Sequence, residues 1–415
     1  MPHYKETKKV KTGNLVMTEK ILLRLDKDQM RIPGDVRREA ARCWNAIVNL
    51  HRTIYNRYGI WLSGGQLKEF FKGHFRLHSQ SVQALVELYE ETCRRTKDLR
   101  KDGETSWRYP WRKKYYFTVT WKKTAISFKD NRICLSNGRG REPLEFKLPA
   151  RIDPAAIRQA QLVWKGACYW LHLSIEKPLP EQVTGCKAAG ADPGEVHSLA
   201  LTDGNECLVI SGRLLRSWWR LQNKELGKYQ RKLSRLKKGS RRWRRLTRKK
   251  RKFLEQMRRR KEHLLHTVTS QATGWCFERG VKTLYVGNPL DVTKKDHGYR
   301  HNQRMHQWTF GQMFNLLKYK LPARGIEMVL VGEENTSSTC PSCGTKGTLR
   351  GRVFHCPNCS FSCHRDVVGS LNIRSVGIHG EIRAGQEAVL RTTYLRPAVH
   401  TTQAVDAFGP GHRAA

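Results

Sequence analysis

Alternation and helical spacing divide the chain into a β-rich first part and a mixed second part. Residues 17–26 (MTEKILLRLD) read as a strand. From Asp35 to Tyr58 the apolar residues recur at helical spacing, with Ala41, Trp44, Val48 and Ile54 on one side and Arg38, Arg42 and Arg52 elsewhere. A second helix is predicted from Ser81 to Leu99. Between Tyr115 and Leu148 the pattern shortens to β segments broken by Asn and Gly: YYFTVTW, AISFKD, RICLSNG and LEFKLP. Strands at Ala160–Val163 and Tyr169–Ile175 follow. This order predicts a β-barrel interrupted by a helical insertion at about residues 35–102.

At Cys186 the character changes. The run KAAGADPGEVHSLALTDGNECLVI predicts two or three adjacent strands, with tight turns at Pro193–Gly194 and Asp203–Gly204. A dense basic block follows and is predicted to form a helical hairpin divided at Gly239–Ser240. Its helix continues through Leu264–Phe277 into a strand at Thr283–Val286. A helix at Phe310–Leu321, a strand at Glu327–Val331 and a short helix at Asp366–Val376 come next. After Gly380 periodicity is lost, and residues 385–415 are expected to be a disordered tail. The expected fold is α+β and multidomain.

Charge changes the picture most. Of 415 residues, 78 are Lys or Arg and 36 are Asp or Glu, a formal net charge of +42. Such an excess resists compaction without a polyanion, so nucleic acid is the leading partner. No apolar run approaches the ~18 residues that span a bilayer. The basic N-terminal residues lack an apolar h-region, so an intracellular protein is expected. Between Arg213 and Lys261, 23 of 49 residues are basic and only Glu225 and Glu255 oppose them. Blocks of like charge are often disordered, but this one lies mid-chain and carries Leu226, Leu233, Leu236 and Leu246. At ~1.5 Å per residue each half spans on the order of 35 Å, about one turn of duplex. Arg231, Lys232, Arg235, Lys237, Lys238, Arg241, Arg242, Arg244 and Arg245 are therefore expected to contact nucleic acid. Among the twelve Trp, Trp107, Trp111 and Trp218 sit amid cations; each can stack on a base or brace a basic surface. Trp111 is the candidate contact.

Cys340, Cys343, Cys356 and Cys359 form C-x2-C-x12-C-x2-C. Two such pairs close a tetrahedral thiolate shell around Zn2+ and leave no open position, so the zinc is expected to be structural. Pro341, Gly344 and Pro357 suit the knuckle turns. The remaining Cys are read as small buried hydrophobes, and Cys363 as a spare thiol.

Two carboxylates stand out. Asp192 ends a small apolar run just before Pro–Gly, and is either a turn residue or a carboxylate that binds a cation. Asp366 lies where a helix starts, and is either an N-cap or a site residue. Brought to one sheet edge, the pair can hold Mg2+ and support two-metal phosphodiester hydrolysis.

The run GADPGEVHSLALTDG, the block YQRKLSRLKKGSRRW, then TSSTCPSCG, FHCPNC and HRDVVGSLNI together resemble the TnpB nucleases of insertion sequences and compact type V CRISPR effectors. The resemblance covers about residues 105–376, and weakly the N-terminal part. It implies an RNase H-like (RuvC-type) nuclease domain with an inserted zinc ribbon, and a β-barrel with a helical lobe holding guide RNA and target DNA. Asp192 matches the family's first catalytic Asp, and Asp366 the last, within D-R-D-x-N. The implied organisation is a nucleic-acid-binding barrel at 1–185 and nuclease segments at 186–338 and 361–384. The hairpin at 213–266 lies within the first segment, and the zinc ribbon falls at 339–360. The sequence departs from the family at Gly287, where the glutamate is expected, and at His364 and Val368, which replace the first Asp and the Asn of the last motif. Glu333 and Glu334 end the next strand, and some branches of the family place their glutamate there. Glu333 is the expected third catalytic residue, Glu334 the fallback, and a solvated loop pair the alternative.

Three functions follow as expectations. The first is an RNA-guided Mg2+-dependent DNA endonuclease of the prokaryotic cytoplasm, monomeric or homodimeric on its RNA. The second is the same scaffold acting as a nuclease-inactive RNA-guided DNA-binding protein. The third is a zinc-ribbon DNA-binding protein without RNA.

Overall fold

The computed structural model describes residues 15–26, 28–138, 140–165, 168–181, 185–288, 298, 302, 308–386 and 391–397. These form two compact units that meet in sequence at Lys177/Pro178.

The first unit opens with β1 (Leu15–Leu23), then α1 (Arg31–Tyr58), α2 (Gly64–Phe70) and α3 (Ser79–Lys101). Helix α1 stops where Gly59 adopts a left-handed conformation (φ 67°) and donates its N–H to the Tyr55 carbonyl. The periodicity did not suggest α2, yet Ser63 and Gln66 form a capping box at its start. The strands β2 (Val119–Lys122), β3 (Ile126–Lys129), β4 (Arg132–Leu135), β5 (Leu144–Lys147), β6 (Ile157–Lys165) and β7 (Cys168–Lys177) complete the unit. They pair as a four-stranded sheet, β1-β7-β6-β2, and a three-stranded sheet, β3-β4-β5. Trp44, Ile47, Tyr89, Trp121, Leu135 and Leu171 belong to the single core that joins helices and both sheets.

The second unit is built on one six-stranded sheet. Strands β8 (Ala188–Asp192), β9 (His197–Thr202) and β10 (Glu206–Ser211) form an antiparallel meander. The basic block then makes α4 (Arg213–Ser234) and α5 (Arg241–Glu278), with the reversal spread over residues 235–240. Ser240 caps α5 by accepting from the Trp243 N–H. Strand β11 (Thr283–Asn288) runs parallel to β8; after α6 (Phe310–Lys320), β12 (Glu327–Gly332) runs parallel to β11. The cysteine segment folds into β13 (Thr348–Arg350), β14 (Val353–His355) and β15 (Ser362–His364), and β15 leads directly into α7 (Arg365–His379).

Residues 391–395 correct one expectation. They are not a disordered tail but β16 (Arg391–Leu395), paired parallel to β10 at the sheet edge. The run RTTYL carries β-branched and aromatic residues, and pairing with β10 supplies the hydrogen-bond partners that periodicity does not reveal. The rest of that expectation, at 387–390 and 398–415, lies outside the described residues.

The sheet buries both faces. Leu199, Leu201, Leu284 and Val286 pack with α5 and α6, whereas Ala200, Cys207 and Val209 pack with Val367 and Leu371 of α7. Helix α7 comes very near β8, because Gly190 has no side chain: a Cβ there would meet the Ser370 carbonyl and lie 2.6 Å from the Arg374 nitrogen. No described helix is long and apolar enough to cross a membrane.

Candidate active site and metal centre

Three parallel strands, β8, β11 and β12, end side by side, and their C-terminal ends set up the candidate site. Asp192 is the last residue of β8; the register pairs Ala191 with Val286 and Gly287 with Val331. Glu333 follows β12 directly. At Gly287 a Cβ would collide with Glu333 Oε1 and lie 2.7 Å from Ile373 Cδ1 and 2.8 Å from Glu333 Cγ. The Glu333 side chain therefore lies over the space that a side chain on residue 287 would fill. Burial and the nearby charge of Asp192 push its carboxyl up to about 8, and Oε1 is buried with no hydrogen-bond partner. Glu334, by contrast, is exposed. The loop is fastened from α7, where buried Asn372 donates to the carbonyls of Thr336 (2.7 Å) and Thr339 (2.8 Å).

Helix α7 closes the site from the same face of the sheet, its Ile373 beside Gly287 and its Gly369 beside Asp192. Its Gly369 lies against Asp192, where a Cβ would collide with Oδ2 and come within 2.9 Å of Cγ. Burial, then the charge of Asp366, pushes Asp192 up to about 7, against the pull of Arg365 and Arg352. Asp366 itself is buried in the first turn of α7. Its N–H donates to Nδ1 of His364, the N-cap residue (3.2 Å). Burial alone would raise Asp366, but the hydrogen bond from His197 and the Arg352 guanidinium hold it below the usual carboxylate range. His197 Nδ1 (2.7 Å) and Arg352 Nη2 (2.6 Å) both contact Oδ2. A carboxylate only accepts, so the His197 proton sits on Nδ1. Oδ1 keeps only Arg365, at 3.6 Å. His197, His364 and Asp366 also bring ligand atoms within 4.8 Å of one another. Nδ1 of each ring is already engaged with Asp366, His197 with its carboxylate and His364 with its backbone N–H.

Glu333 thus feels the charge of Asp192, and Asp192 that of Asp366, at neighbouring strand ends; among the described residues the three carboxylates do not form a group with ligand atoms all within 4.8 Å of one another. Sequence reasoning missed His197 and Arg352. His197 opens a strand whose six residues are all buried, and Arg352 occupies a hairpin turn of the ribbon, so neither pattern marks a site.

The four cysteines of the ribbon place their sulfur atoms within 4.8 Å of one another. Cys340 and Cys359 lie 3.6 Å apart, Cys343 and Cys356 3.4 Å. Tetrahedral Zn–S bonds of ~2.3 Å need sulfurs roughly 3.8 Å apart, so the set can hold zinc. Hydrogen bonds from the Thr345 side chain and backbone lower the Cys343 thiol to about 5, which favours the thiolate that a metal binds.

All nine expected cationic contacts of the hairpin are exposed. Within α4 and residues 241–256 of α5 only Leu215 is buried, and the buried residues of α5 run from Met257 to Cys276. The hairpin holds together through Lys261, which donates to Gln222 Oε1 (2.8 Å) and lies over the Trp219 ring. Of the three Trp set among cations, Trp218 packs against the core of the second unit, whereas Trp107 and Trp111 are exposed.

Two family models match. Residues 171–293 match a "Probable transposase" family, OrfB_IS605, and residues 310–373 match the "Cas12f1-like, TNB domain" family. Over these stretches the chain is similar to TnpB-like proteins and to compact type V effectors. The chain is 28% identical over 137 residues to TnpB-like protein ORF457 of Acidianus two-tailed virus, covering 32% of this chain and 29% of that one. It is 25% identical over 128 residues to the CRISPR-associated endodeoxyribonuclease Cas12f1 of an uncultured archaeon, covering 29% and 24%. The matched stretches therefore span less than a third of either relative. A cryo-EM structure of a Cas12f1–sgRNA–target DNA complex shares the fold, with a TM-score of 0.59 at 16% identity over 83% of this chain and 82% of that one.

Proposed function

We propose that this TnpB-like chain is an RNA-guided DNA endonuclease whose active site is Asp192, Glu333 and Asp366. The observation that carries the reading is the Glu333 side chain lying across Gly287 toward Asp192. A glutamate lost from one strand end is replaced from its neighbour. The meander β10-β9-β8 extended by parallel β11 and β12 supports an RNase H-like, RuvC-type domain. The two sheets and helices of the first unit are read as the barrel-type lobe for guide RNA and target DNA. Base pairing would choose the target, with the protein sensing duplex shape, backbone charge and a short flanking motif.

The donor set fits hard divalent cations. Burial first, then the neighbouring acid, raises both Asp192 and Glu333, and among the described residues Glu333 Oε1 is buried without a hydrogen-bond partner, which a bound cation would supply. Asp192 and Asp366, joined by Glu333, would hold Mg2+, which supplies charge neutralisation and an activated water for phosphodiester hydrolysis. The protein's part is orientation. His197 fixes Asp366 through Oδ2, Gly369 lets α7 lie against Asp192, and Asn372 anchors the loop that follows Glu333. Zn2+ in the ribbon is read as structural.

Replacing Asp192, Glu333 or Asp366 singly by Ala is expected to abolish Mg2+-dependent cleavage of a guide-matched target while leaving guide-dependent DNA binding nearly intact. Glu334→Ala is expected to be mild. Normal cleavage by Glu333→Ala would sink the reading. One observation favours the binding-only alternative: the Arg352 guanidinium already pairs with Asp366, and a cation at that oxygen must displace it. If the parent protein binds its matched target yet never cuts in Mg2+ or Mn2+, that alternative stands.

A further inference from the structure

The segment Trp107–Tyr116, WRYPWRKKYY, combines five aromatic residues with four cations and no acid. It has no regular secondary structure, yet it is clipped to α1. Asn45 donates to the Lys114 carbonyl (2.8 Å) and accepts from the Lys114 N–H (2.9 Å). Just beyond, the Phe117 N–H donates to the Arg37 carbonyl, and the Phe117 ring stacks on Trp44 at 4.4 Å with an interplanar angle of 17°. At the other end Arg100 holds the Trp107 carbonyl. A segment pinned at three places cannot turn all its large rings inward. Trp111 remains 53% exposed and Tyr115 77%.

A second, buttressed ring adjoins it. Trp61 lies between His51 (4.3 Å), Tyr55 (5.7 Å) and Tyr109 (5.4 Å), fixed on its edges yet 48% exposed. Cations sit over neighbouring rings: Arg112 over Trp111, Arg57 over Tyr58 and Arg37 over Tyr116. Fixed, half-exposed rings flanked by cations are what a single strand needs, with a π-face for each unpaired base and a positive charge for each phosphate. A duplex hides its base faces, and an apolar protein partner gains little from four unpaired cations.

We infer that Trp107–Tyr116, with Trp61, forms a strap that binds unpaired nucleotides by base stacking. This deepens the nucleic-acid reading of the first unit and rests on it. It assigns the strap to single-stranded segments, whereas the basic hairpin supplies affinity without regard to strandedness.

The test uses the full-length, zinc-loaded chain without guide RNA, with fluorescently labelled 12-nucleotide RNA and DNA single strands. Duplexes of equal length and an abasic strand of equal phosphate count serve as comparisons. The parent is expected to bind base-bearing strands tighter than the abasic strand. Losing one stacked base costs roughly 5- to 150-fold in affinity. Trp107→Ala/Trp111→Ala should lose that preference with its duplex affinity and salt slope unchanged, and Trp107→Phe/Trp111→Phe should retain most of it. Equal binding of abasic and base-bearing strands by the parent overturns the inference, as does an equal loss on strands and duplexes. So does a change from dimer to monomer in the Ala variant with strand affinity unchanged, which would make the surface an interface between copies. If the parent binds no strand or duplex at all, the nucleic-acid reading itself fails. Preference for RNA over DNA single strands would identify the guide as the occupant, and the reverse would identify displaced DNA.

Discussion

Position 287 has room for a hydrogen and little more, since a Cβ would run into Glu333 and Ile373. Gly287→Ala is therefore expected to push Glu333 off Asp192 and lower cleavage by about tenfold or more, because misplacement on the order of 1 Å at a reacting centre costs roughly 100-fold. The swap is sharper. Glu333→Ala should be inactive, and adding Gly287→Glu should restore part of the cleavage by returning the carboxylate from the neighbouring strand. Failure of the double variant, with its fold intact by melting, would count against a shared position. The same carboxylate sets a pH dependence in the ion-free chain. Glu333 is raised from 4.5 to about 8, so folding favours its protonated form; that stabilisation is complete below about 4.5 and lost as pH rises through 8. Melting temperature should fall across that window in the parent and stay flatter in Glu333→Gln. An equal slope in both would remove Glu333 from the account. At this scale motif order in the sequence pointed to Asp192, Glu333 and Asp366 as candidates. His197 and Arg352 were hidden because a contact across 169 or 14 residues leaves no local pattern.

Among the elements, the ribbon and α7 are one construction. Strand β15 leads straight into the helix whose first turn carries Asp366, and Val368 of that helix packs with Cys340, Phe354 and Cys356. Loss of the metal should therefore reach the active site. Cys340→Ser or Cys356→Ser is expected to remove about one zinc per chain, to lower the melting temperature, and to speed amide exchange at residues 365–369. Structural zinc contributes folding energy directly. A zinc-free chain that keeps full protection there would refute the coupling. Most elements were readable because their periods are long and clean, as in α1, α3, α5 and the meander. Helix α2 and strand β16 were not. The first is only seven residues long, signalled by a capping box rather than by period, and the second gains its identity from pairing with β10.

Over the whole molecule the net charge of +42 pointed to a polyanionic partner; the meander β8-β9-β10 was legible as adjacent strands, whereas the pairing of β11 with β8 and of β16 with β10 was not, since long stretches of chain separate them. Charge also has a measurable geometry. The exposed stretch from Arg231 to Arg245 projects from the buried half of α5, and its cations pair with few acids, so they are free to replace counterions on phosphate. Each phosphate contact contributes about 0.9 to the salt slope on duplex and about 0.7 on single strands. Charge reversal at Arg241, Arg242, Arg244 and Arg245 should then reduce the slope by about 3 to 4 for duplex and weaken binding uniformly across sequences. It should leave the discrimination between base-bearing and abasic strands untouched, because that property belongs to the aromatic strap of the other unit. Titrating affinity against salt for the hairpin and strap variants separates the two terms. An unchanged slope after reversal would place the hairpin away from nucleic acid, and the excess charge would then have to act through other surfaces.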